Sequence, residues 1–330
     1  MKALVRAPDG SSDVVEVTDV DTPVPAENEV LVRVHAASIN DFDLFIMHPP
    51  WPFRAVGSIV RAVSSAPPRV RIPGCDVAGT VSAVGGRVER LRPGDAVFGD
   101  LSRMGYGGFG AFAEYVCAPE TALALKPVRA TFEQAAALPQ AGVLAMQGLW
   151  ASGPLQPGWQ ILINGAGGGV GTIGVQVAKL VNVEVTGVDR ASKLEMMRSI
   201  GFDHVVDFER EDFTTSGKRY DLIVDTKTNR APSAYLRALA PNGTYATVGG
   251  ANARLLQMAI GGWCIRRVSS KKLVMIGLKP NEHLAYLRDR CEAGELVPVI
   301  DGPYRLRDAP KAFRHFVSGH HKGKVIITMD

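Results

Sequence analysis

The sequence predicts an α/β protein in which a doubly wound parallel sheet is joined to a β-rich, barrel-like domain. Two patterns and one motif predict it. Short apolar runs of period two, broken by Gly and Pro turns, fill the first 125 residues. From residue 160 onward, short apolar strands alternate with helical stretches, the pattern of a parallel sheet covered on both faces. A glycine cluster stands between the first strand of that second region and its first helix.

The barrel-like part is read first from Val30–Ala36, where Val30, Val32 and Val34 share one face and Arg33 and His35 the other. Val77–Val84, Ala96–Phe98 and Phe112–Cys117 are similar, with Pro93-Gly94-Asp95 as turn chemistry. Thr131 with Gln134 has the spacing of a capping box and opens a helical stretch around Ala135–Leu138. Pro139 interrupts it, and Ala141–Ala151 is helical again. The expected strands of the second region are Ile161–Ile163, Val183–Val188, His204–Val206, Leu222–Val224, Thr244–Val248 and Leu273–Ile276. Its expected helices are Val170–Leu180, Ser192–Ile200 with a Ser192/Glu195 capping box, Pro232–Ala240 and Asn281–Ala293. Strands at Val297–Ile300 and Lys324–Thr328 flank a last helix, Ala309–Phe316.

Composition bounds the function. In 330 residues, 46% hydrophobic and 21% charged, there is ample material for a core, so global disorder is excluded. A net charge of +4, from 37 basic and 33 acidic residues, is too mild to imply a nucleic-acid partner without a concentrated basic face. Cys75, Cys117, Cys264 and Cys291 lie far apart and form no CxxC pair, so neither a disulfide framework nor a zinc knuckle is indicated. The N-terminal Met1–Arg6 stretch lacks a signal-like apolar region, and no run reaches about 18 apolar residues. The expectation is a reduced, soluble, cytoplasmic protein with no membrane partner.

The motif is Ile161-Leu-Ile-Asn-Gly-Ala-Gly-Gly-Gly-Val-Gly171. Ala166, Gly168 and Gly171 have the spacing of the dinucleotide fingerprint of Rossmann folds. Small residues there allow a tight turn, close approach of a pyrophosphate and helix-on-strand packing. Gly169 and Val170, at the helix start, complete the expected contact set, because free N–H groups and the helix dipole favour phosphate. The next strand ends in Asp189, 18 residues past Gly171, where a carboxylate can accept from adenosine ribose hydroxyls. A sharp strand–helix turn without a ligand is the plain alternative, and the complete βαβ context argues against it. Arg190 and Lys193 follow at once and could pair with a 2′-phosphate. The carboxylate stands nearest the 2′ position, so the expected cofactor is NAD(P)H, leaning to NADH.

With these residues in view, the chain resembles the medium-chain dehydrogenase/reductase superfamily, in its zinc-free quinone oxidoreductase and enoyl reductase branch. Ser38-Ile-Asn-Asp-Phe-Asp43, Pro73-Gly-Cys-Asp-Val-Ala-Gly79, Arg92–Gly99, Gly110–Val116, Asn164–Gly171, Gly201–Asp207 and Gly323-Lys-Val-Ile-Ile327 carry the resemblance. It implies a β-rich catalytic domain from residues 1–126, to which 297–330 return, around a Rossmann domain at 127–296. It also implies a nicotinamide cofactor in the cleft, with Lys324 and the backbone of Val248 and Gly249 as further cofactor contacts, and a homodimer.

Zinc-containing relatives place a Cys within the segment that here reads Ile39–Asp43, and a His-Glu pair where this chain has Cys75-Asp76. The ligand types of a catalytic zinc are missing, so no metal is expected. Asn40 is a candidate contact to the nicotinamide side, with Asp43 close by in sequence; an Asx-turn closing a loop is their alternative. Many zinc-free relatives carry a Tyr where this chain has Phe45. His48 could donate a proton, although it precedes Pro49-Pro50 and could equally be solvated. Lys227, in the loop after the Leu222–Val224 strand, touches cofactor or substrate or is simply solvated. The 44–75 stretch has no acidic residue and four arginines, Arg54, Arg61, Arg69 and Arg71, beside a Val56/Ile59/Val60/Val63 stripe. It reads as a surface helix or as a cover whose arginines meet an acidic substrate such as a thioester. The expected activity is hydride transfer to an activated alkene or a quinone. A carbonyl reductase or alcohol dehydrogenase, and a non-redox cyclase-like or binding protein, are the alternatives.

Overall fold

A computed structural model gives the fold, described for residues 1–6, 15–47, 72–102, 110–250, 254–255, 257–258, 265 and 269–329, with the side chains of 45–47 excepted. His48, the four arginines, the apolar stripe between them and Cys264 lie outside the described residues. The chain forms two compact units. One holds Met1–Gln140, Gly302–Gly319 and Val325–Asp330, and the other Ala141–Asp301 and His320–Lys324.

The first unit is antiparallel. Strands β1 (Lys2–Arg6) and β2 (Val15–Asp19) make a hairpin. In β3 (Glu29–Ser38), Val30, Val32 and Val34 are buried and Arg33 is exposed, which is the period-two pattern in place. It pairs with β4 (Asp76–Val84), and β4 pairs with β5 (Ala96–Asp100). Strand β6 (Tyr115–Pro119) lies along the first half of β3, and the short β7 (Ala124–Leu125) along β5. The helix Phe132–Ala136 packs on β3 and β4 and opens with the expected capping box between Thr131 and Gln134. Pro139 does not break a helix but starts one, Pro139–Leu149, because a first-turn residue needs no N–H.

The second unit is a parallel six-stranded sheet. Its strands are β8 (Gln160–Asn164), β9 (Glu184–Asp189), β10 (His204–Asp207), β11 (Tyr220–Asp225), β12 (Leu239–Thr247) and β13 (Lys272–Met275), in the order β10-β9-β8-β11-β12-β13. The order reverses between β8 and β11, so the carboxyl ends of those two strands flank a topological switch point, where ligands of such sheets bind. Two elements differ from the sequence reading. Ser192 does not cap a helix: it lies inside a 3₁₀ turn, Ala191–Lys193, that leads into Leu194–Ser199, and the helix start has no side-chain cap. Val297 is not in a strand, because the Gln176 side chain takes both its backbone groups, accepting at 2.9 Å and donating at 3.0 Å.

Strands β14 (Ile300–Arg305) and β15 (Lys324–Thr328), with the helix Ala309–Ser318 between them, extend the antiparallel sheet, whose order is β14-β15-β3-β4-β5-β7. Its core includes Val30, Val32, Val77, Val97, Phe112, Phe313 and Ile327.

Candidate functional site

The glycine turn after β8 is folded by local necessity. Gly165 has φ +84°, a left-handed conformation that favours glycine. A Cβ on Gly171 would stand 2.4–2.6 Å from the Ala166 backbone, so only glycine lets the helix Gly169–Ala178 sit so close to its strand. Gly168 differs: its Cβ would find Gly165 O at 3.5 Å and His321 Nε2 at 4.0 Å, so this side is open. The first bond of the helix runs from Thr172 N–H to Gly168 C=O at 2.9 Å. The N–H groups of Gly169, Val170 and Gly171 are thus left to a ligand at the positive end of the helix dipole.

Side chains from three other segments meet this turn. Asp189, at the end of β9 and only 5% exposed, accepts from the Gly167 N–H at 2.8 Å and the Arg190 N–H at 2.9 Å. Lys193, also buried, puts Nζ 3.4 Å from Asp189 Oδ1, and a Cβ on Gly167 would meet its Cδ at 2.5 Å. Burial lowers the Lys193 pKa, and Asp189 works against that. Lys324 lies against Gly169, where a Cβ would stand 2.4 Å from its Cδ, and Gly323 N–H donates to Gly167 C=O at 2.9 Å. Lys227 crosses Gly165, its Cε 3.1 Å from the place of a Cβ. The structure therefore brings together Ala166, Gly168–Gly171, Asp189, Arg190, Lys193, Lys227 and Lys324. A cradle closed to added Cβ atoms at Gly167, Gly169 and Gly171 and open at Gly168, with unclaimed amides and a cationic rim, fits the diphosphate of a dinucleotide.

A second network fixes the far side of the turn. Buried Asp225, at the end of β11, accepts from Asn164 Nδ2 at 2.8 Å, Lys227 N–H at 2.7 Å, Thr228 N–H at 3.0 Å and Tyr245 Oη at 3.0 Å. Burial first, and the Asp225 charge second, push the Tyr245 hydroxyl far above its ordinary pKa, so it remains a donor. Thr228 Oγ1 bonds Thr247 Oγ1 at 2.5 Å and donates to Gly249 C=O at 2.6 Å, tying the loop to the Val248–Gly249 turn. Sequence reasoning took Asp225 and Thr228 only as members of the Lys227 loop, with no role of their own, and missed Tyr245 and Thr247. The three consecutive polar residues after an apolar strand, Asp225-Thr226-Lys227, were the available signal.

In the first unit, Asn40 caps the start of the helix Asp41–Met47, and its backbone N–H donates to Asp43 Oδ2 at 2.8 Å, half of a capping box. Fully buried Asp43 also accepts from Gly74 N–H at 3.0 Å and Cys75 Sγ at 3.3 Å. The Asn40 amide donates instead to Asp76 Oδ2 at 3.0 Å, an oxygen that Ser38 Oγ also bonds at 2.7 Å. Asp76 Oδ1 accepts from Gln140 N–H at 3.0 Å. Asp100 faces Asp76 in the β4–β5 register and accepts from Ser102 N–H at 2.8 Å. Burial, and then the charge on Asp76, push the Asp100 carboxyl up to about 6. Ser38, Asp76, Asp100 and Gln140 were not singled out by sequence. Asp76, named in the sequence only as the residue in place of a zinc-site Glu, is carried into the core by the inward phase of β4. Among the described residues, no group of three or more His, Cys, Asp or Glu is placed to hold a metal ion.

A diphosphate cradle at the switch point of a parallel sheet, with a carboxylate at the end of the next strand, defines a dinucleotide-dependent oxidoreductase. The comparisons with known proteins agree. The alcohol dehydrogenase GroES-like domain matches residues 26–128, and the zinc-binding dehydrogenase domain matches residues 200–327. The chain is 32% identical to 2-methylene-furan-3-one reductase of Solanum lycopersicum, over 99% of this chain and 79% of that protein. It is 32% identical to a chloroplast envelope quinone oxidoreductase homolog of Arabidopsis thaliana, over 96% and 95%. Among solved structures, an NAD-dependent alcohol dehydrogenase superposes with a TM-score of 0.81 at 27% identity, over 100% of both chains. The chain belongs to the medium-chain dehydrogenase/reductase superfamily, in its quinone oxidoreductase and enoyl reductase branch, and is an oxidoreductase using a nicotinamide cofactor.

One expectation is corrected. Relatives from Arabidopsis thaliana, Triphysaria versicolor and Spinacia oleracea are named as chloroplast proteins, so the cytoplasmic location read from the sequence does not stand. No helix among the described residues is long and apolar enough to cross a membrane.

Proposed function

We propose that this protein reduces an activated alkene conjugated to a carbonyl, or a quinone, without zinc and with NADH as the preferred cofactor. The observation that carries it is the cradle of Gly167–Gly171, closed by Asp189, Lys193 and Lys324. Names of relatives support the acceptor class: alkenal/one oxidoreductase, quinone oxidoreductase and trans-enoyl reductase. When bound, the reduced nicotinamide supplies a hydride. The amides of Gly169, Val170 and Gly171 would hold the diphosphate, and Asp189 the adenosine ribose. An ionised carboxylate has about four acceptor positions. Gly167, Arg190 and Lys193 direct donors at three, which leaves room for a ribose hydroxyl and opposes a 2′-phosphate.

The zinc-free reading rests on residue chemistry. Cys75, where relatives carry a metal-binding His, donates its thiol proton to Asp43. Burial, and then the charge of Asp43, raise its pKa well above the ordinary value, which disfavours the thiolate a metal needs. Reduction at a β-carbon puts negative charge on an enolate oxygen. One hydrogen-bond donor to such an oxygen is worth roughly 3–4 kcal/mol, and solvent can then protonate the enolate. A saturated ketone would give an alkoxide, a stronger base that needs a positioned acid or a Lewis acid.

The test follows loss of reduced-cofactor absorbance over a panel of enones, quinones and saturated ketones, with NADH and NADPH in turn. Enones or quinones reduced far faster than saturated ketones, with higher kcat/KM for NADH, are expected. Better turnover of saturated aldehydes or ketones overturns the acceptor reading. Preference for NADPH overturns the role given to Asp189. One zinc per chain in metal analysis, lost together with activity, overturns the zinc-free reading.

A further inference from the structure

The segment His320–Lys324 is basic at every position but Gly323, and it belongs to the same unit as the glycine turn. The fold lays it along that turn. Gly323 N–H donates to Gly167 C=O at 2.9 Å, and Gly323 forms a bridge with Gly168, so the two stretches run side by side. The segment is pinned from its other side as well. Lys324 N–H donates to Val299 C=O at 2.9 Å, and Lys322 N–H to Asp301 Oδ2 at 2.9 Å.

This double anchoring fixes where the His321 ring stands. Its Nε2 lies 4.0 Å from the place of a Gly168 Cβ, where the Gly165 carbonyl oxygen, at 3.5 Å, is nearer. Of the four glycines between Gly167 and Gly171, Gly168 alone is open at that point, the other three being closed by Lys193, Lys324 or the Ala166 backbone. A half-buried imidazole nitrogen therefore borders the opening in the turn that a diphosphate needs.

We propose that His321 is a diphosphate-binding residue, its imidazole taking up a proton as the dinucleotide arrives and donating through Nε2 to a phosphate oxygen. This rests on the nicotinamide-cofactor reading above. A protonated imidazole donates from both nitrogens, so Nε2 is a donor whichever tautomer the neutral ring had. Histidine side chains titrate near pH 6.5 and respond to small changes in nearby charge. The charged groups on the elements around this turn are Asp189, Arg190 and Lys193 after β9, Lys227 after β11, Lys322 and Lys324 on the segment itself, and Asp301 beside Lys322. His320 sets its own ring nitrogen 3.5 Å from the Arg190 guanidinium. Cations outnumber carboxylates in this set, which disfavours a further proton until negative charge arrives. The diphosphate is ionised throughout the neutral range, so it brings that charge without titrating itself. A charge-assisted hydrogen bond of this kind corresponds to about a tenfold change in affinity.

The experiment measures ADP-ribose binding by calorimetry between about pH 5.5 and 8.5, spanning the range in which histidine titrates. Two buffers of different ionisation enthalpy count the protons taken up. The proteins are the wild type, His321→Gln, His321→Asn and, as a control, His320→Gln. The wild type should take up protons on binding and lose about tenfold in affinity as the pH rises. Both His321 variants should bind with nearly constant affinity, about tenfold more weakly than wild type at the acid end, and take up no proton. His320→Gln should keep the wild-type profile. A wild type whose affinity ignores pH, His321 variants that keep the profile, or its loss in His320→Gln instead, overturns the role of His321 and leaves the cofactor reading standing. Wild-type protein that binds neither ADP-ribose nor NADH at any pH overturns both.

Discussion

Replacing Asp100 by Asn should stabilise the protein, and by more as the pH rises. Asp100 is 1% exposed and lies opposite Asp76 in the ladder between β4 and β5, with Asp43 and the Cys75 thiol in the same cluster. Its carboxyl is pushed from an ordinary 3.8 up to about 6. A carboxyl raised in the folded state favours folding while protonated in both states. Its contribution is complete below about pH 4 and is lost as pH rises through about 6. At about 1.4 kcal/mol per pH unit, the loss is roughly 3 kcal/mol. An Asn side chain carries no charge to lose, and its oxygen can keep the bond from Ser102 N–H. Urea unfolding of both proteins at pH 4 and pH 8 measures this. The stability gain of the variant should grow by up to about 3 kcal/mol between the two conditions, titrating groups away from the Asp76–Asp100 pair cancelling in the difference. A gain that is equal at both pH values, or one that shrinks as pH rises, refutes the argument.

Other consequences can be checked more briefly. Gly168→Val should fold normally, because its Cβ meets nothing closer than 3.5 Å, yet lose turnover on the order of 100-fold by displacing the diphosphate. Gly171→Val should instead lower the thermal midpoint sharply, since its Cβ would overlap the Ala166 backbone. Asp189→Ala leaves Lys193 buried without its partner and should cost about 3–5 kcal/mol in urea unfolding, far more than loss of a surface pair. The thiols of Cys75, Cys117 and Cys291 should resist alkylation in the native state at pH 8 and react fully in denaturant. Burial raises the first well above its ordinary pKa, the second to about 11 and the third to about 12. Mass spectrometry of the labelled peptides reads this directly, and rapid native labelling of Cys75 would show that its pocket opens.

What could be read in the sequence was chemistry that is local along the chain. The glycine turn, its strand and the carboxylate at the next strand end fall within the 29 residues from Ile161 to Asp189, and their spacing alone specifies a βαβ unit. Lys324 lies far along the chain and came only with the resemblance, because β15 and the Gly323–Gly167 bond bring it back to the turn. The Ser38–Asp76–Asp100 alignment was invisible for a similar reason: it exists only in the register of three antiparallel strands. Thr228 was hidden differently. Nothing in a Thr reports a positive φ, which is imposed by Asp225, Thr247 and Gly249 from three separate segments. Ser192 shows the converse, a local signal overridden where Lys193 turns inward to Asp189 and the α-helix begins two residues late, at Leu194.

Both units use one physical device at the places that matter. A buried aspartate gathers backbone N–H groups of a turn: Asp43 those of Asn40 and Gly74, Asp189 those of Gly167 and Arg190, Asp225 those of Lys227 and Thr228. Hydrogen bonds to an ionised acceptor are about twice as strong as neutral ones, and low local dielectric strengthens them further. The cost of burying the charge is offset by those donors, and the turn gains one conformation rather than several. Such turns suit a cofactor site, because amides already aimed at a phosphate need no reordering when it arrives. The device also explains why the cations can be arranged so freely. With the loop held by carboxylates from below, exposed Lys227 is not required to fasten it, whereas buried Lys193 is already paired with Asp189.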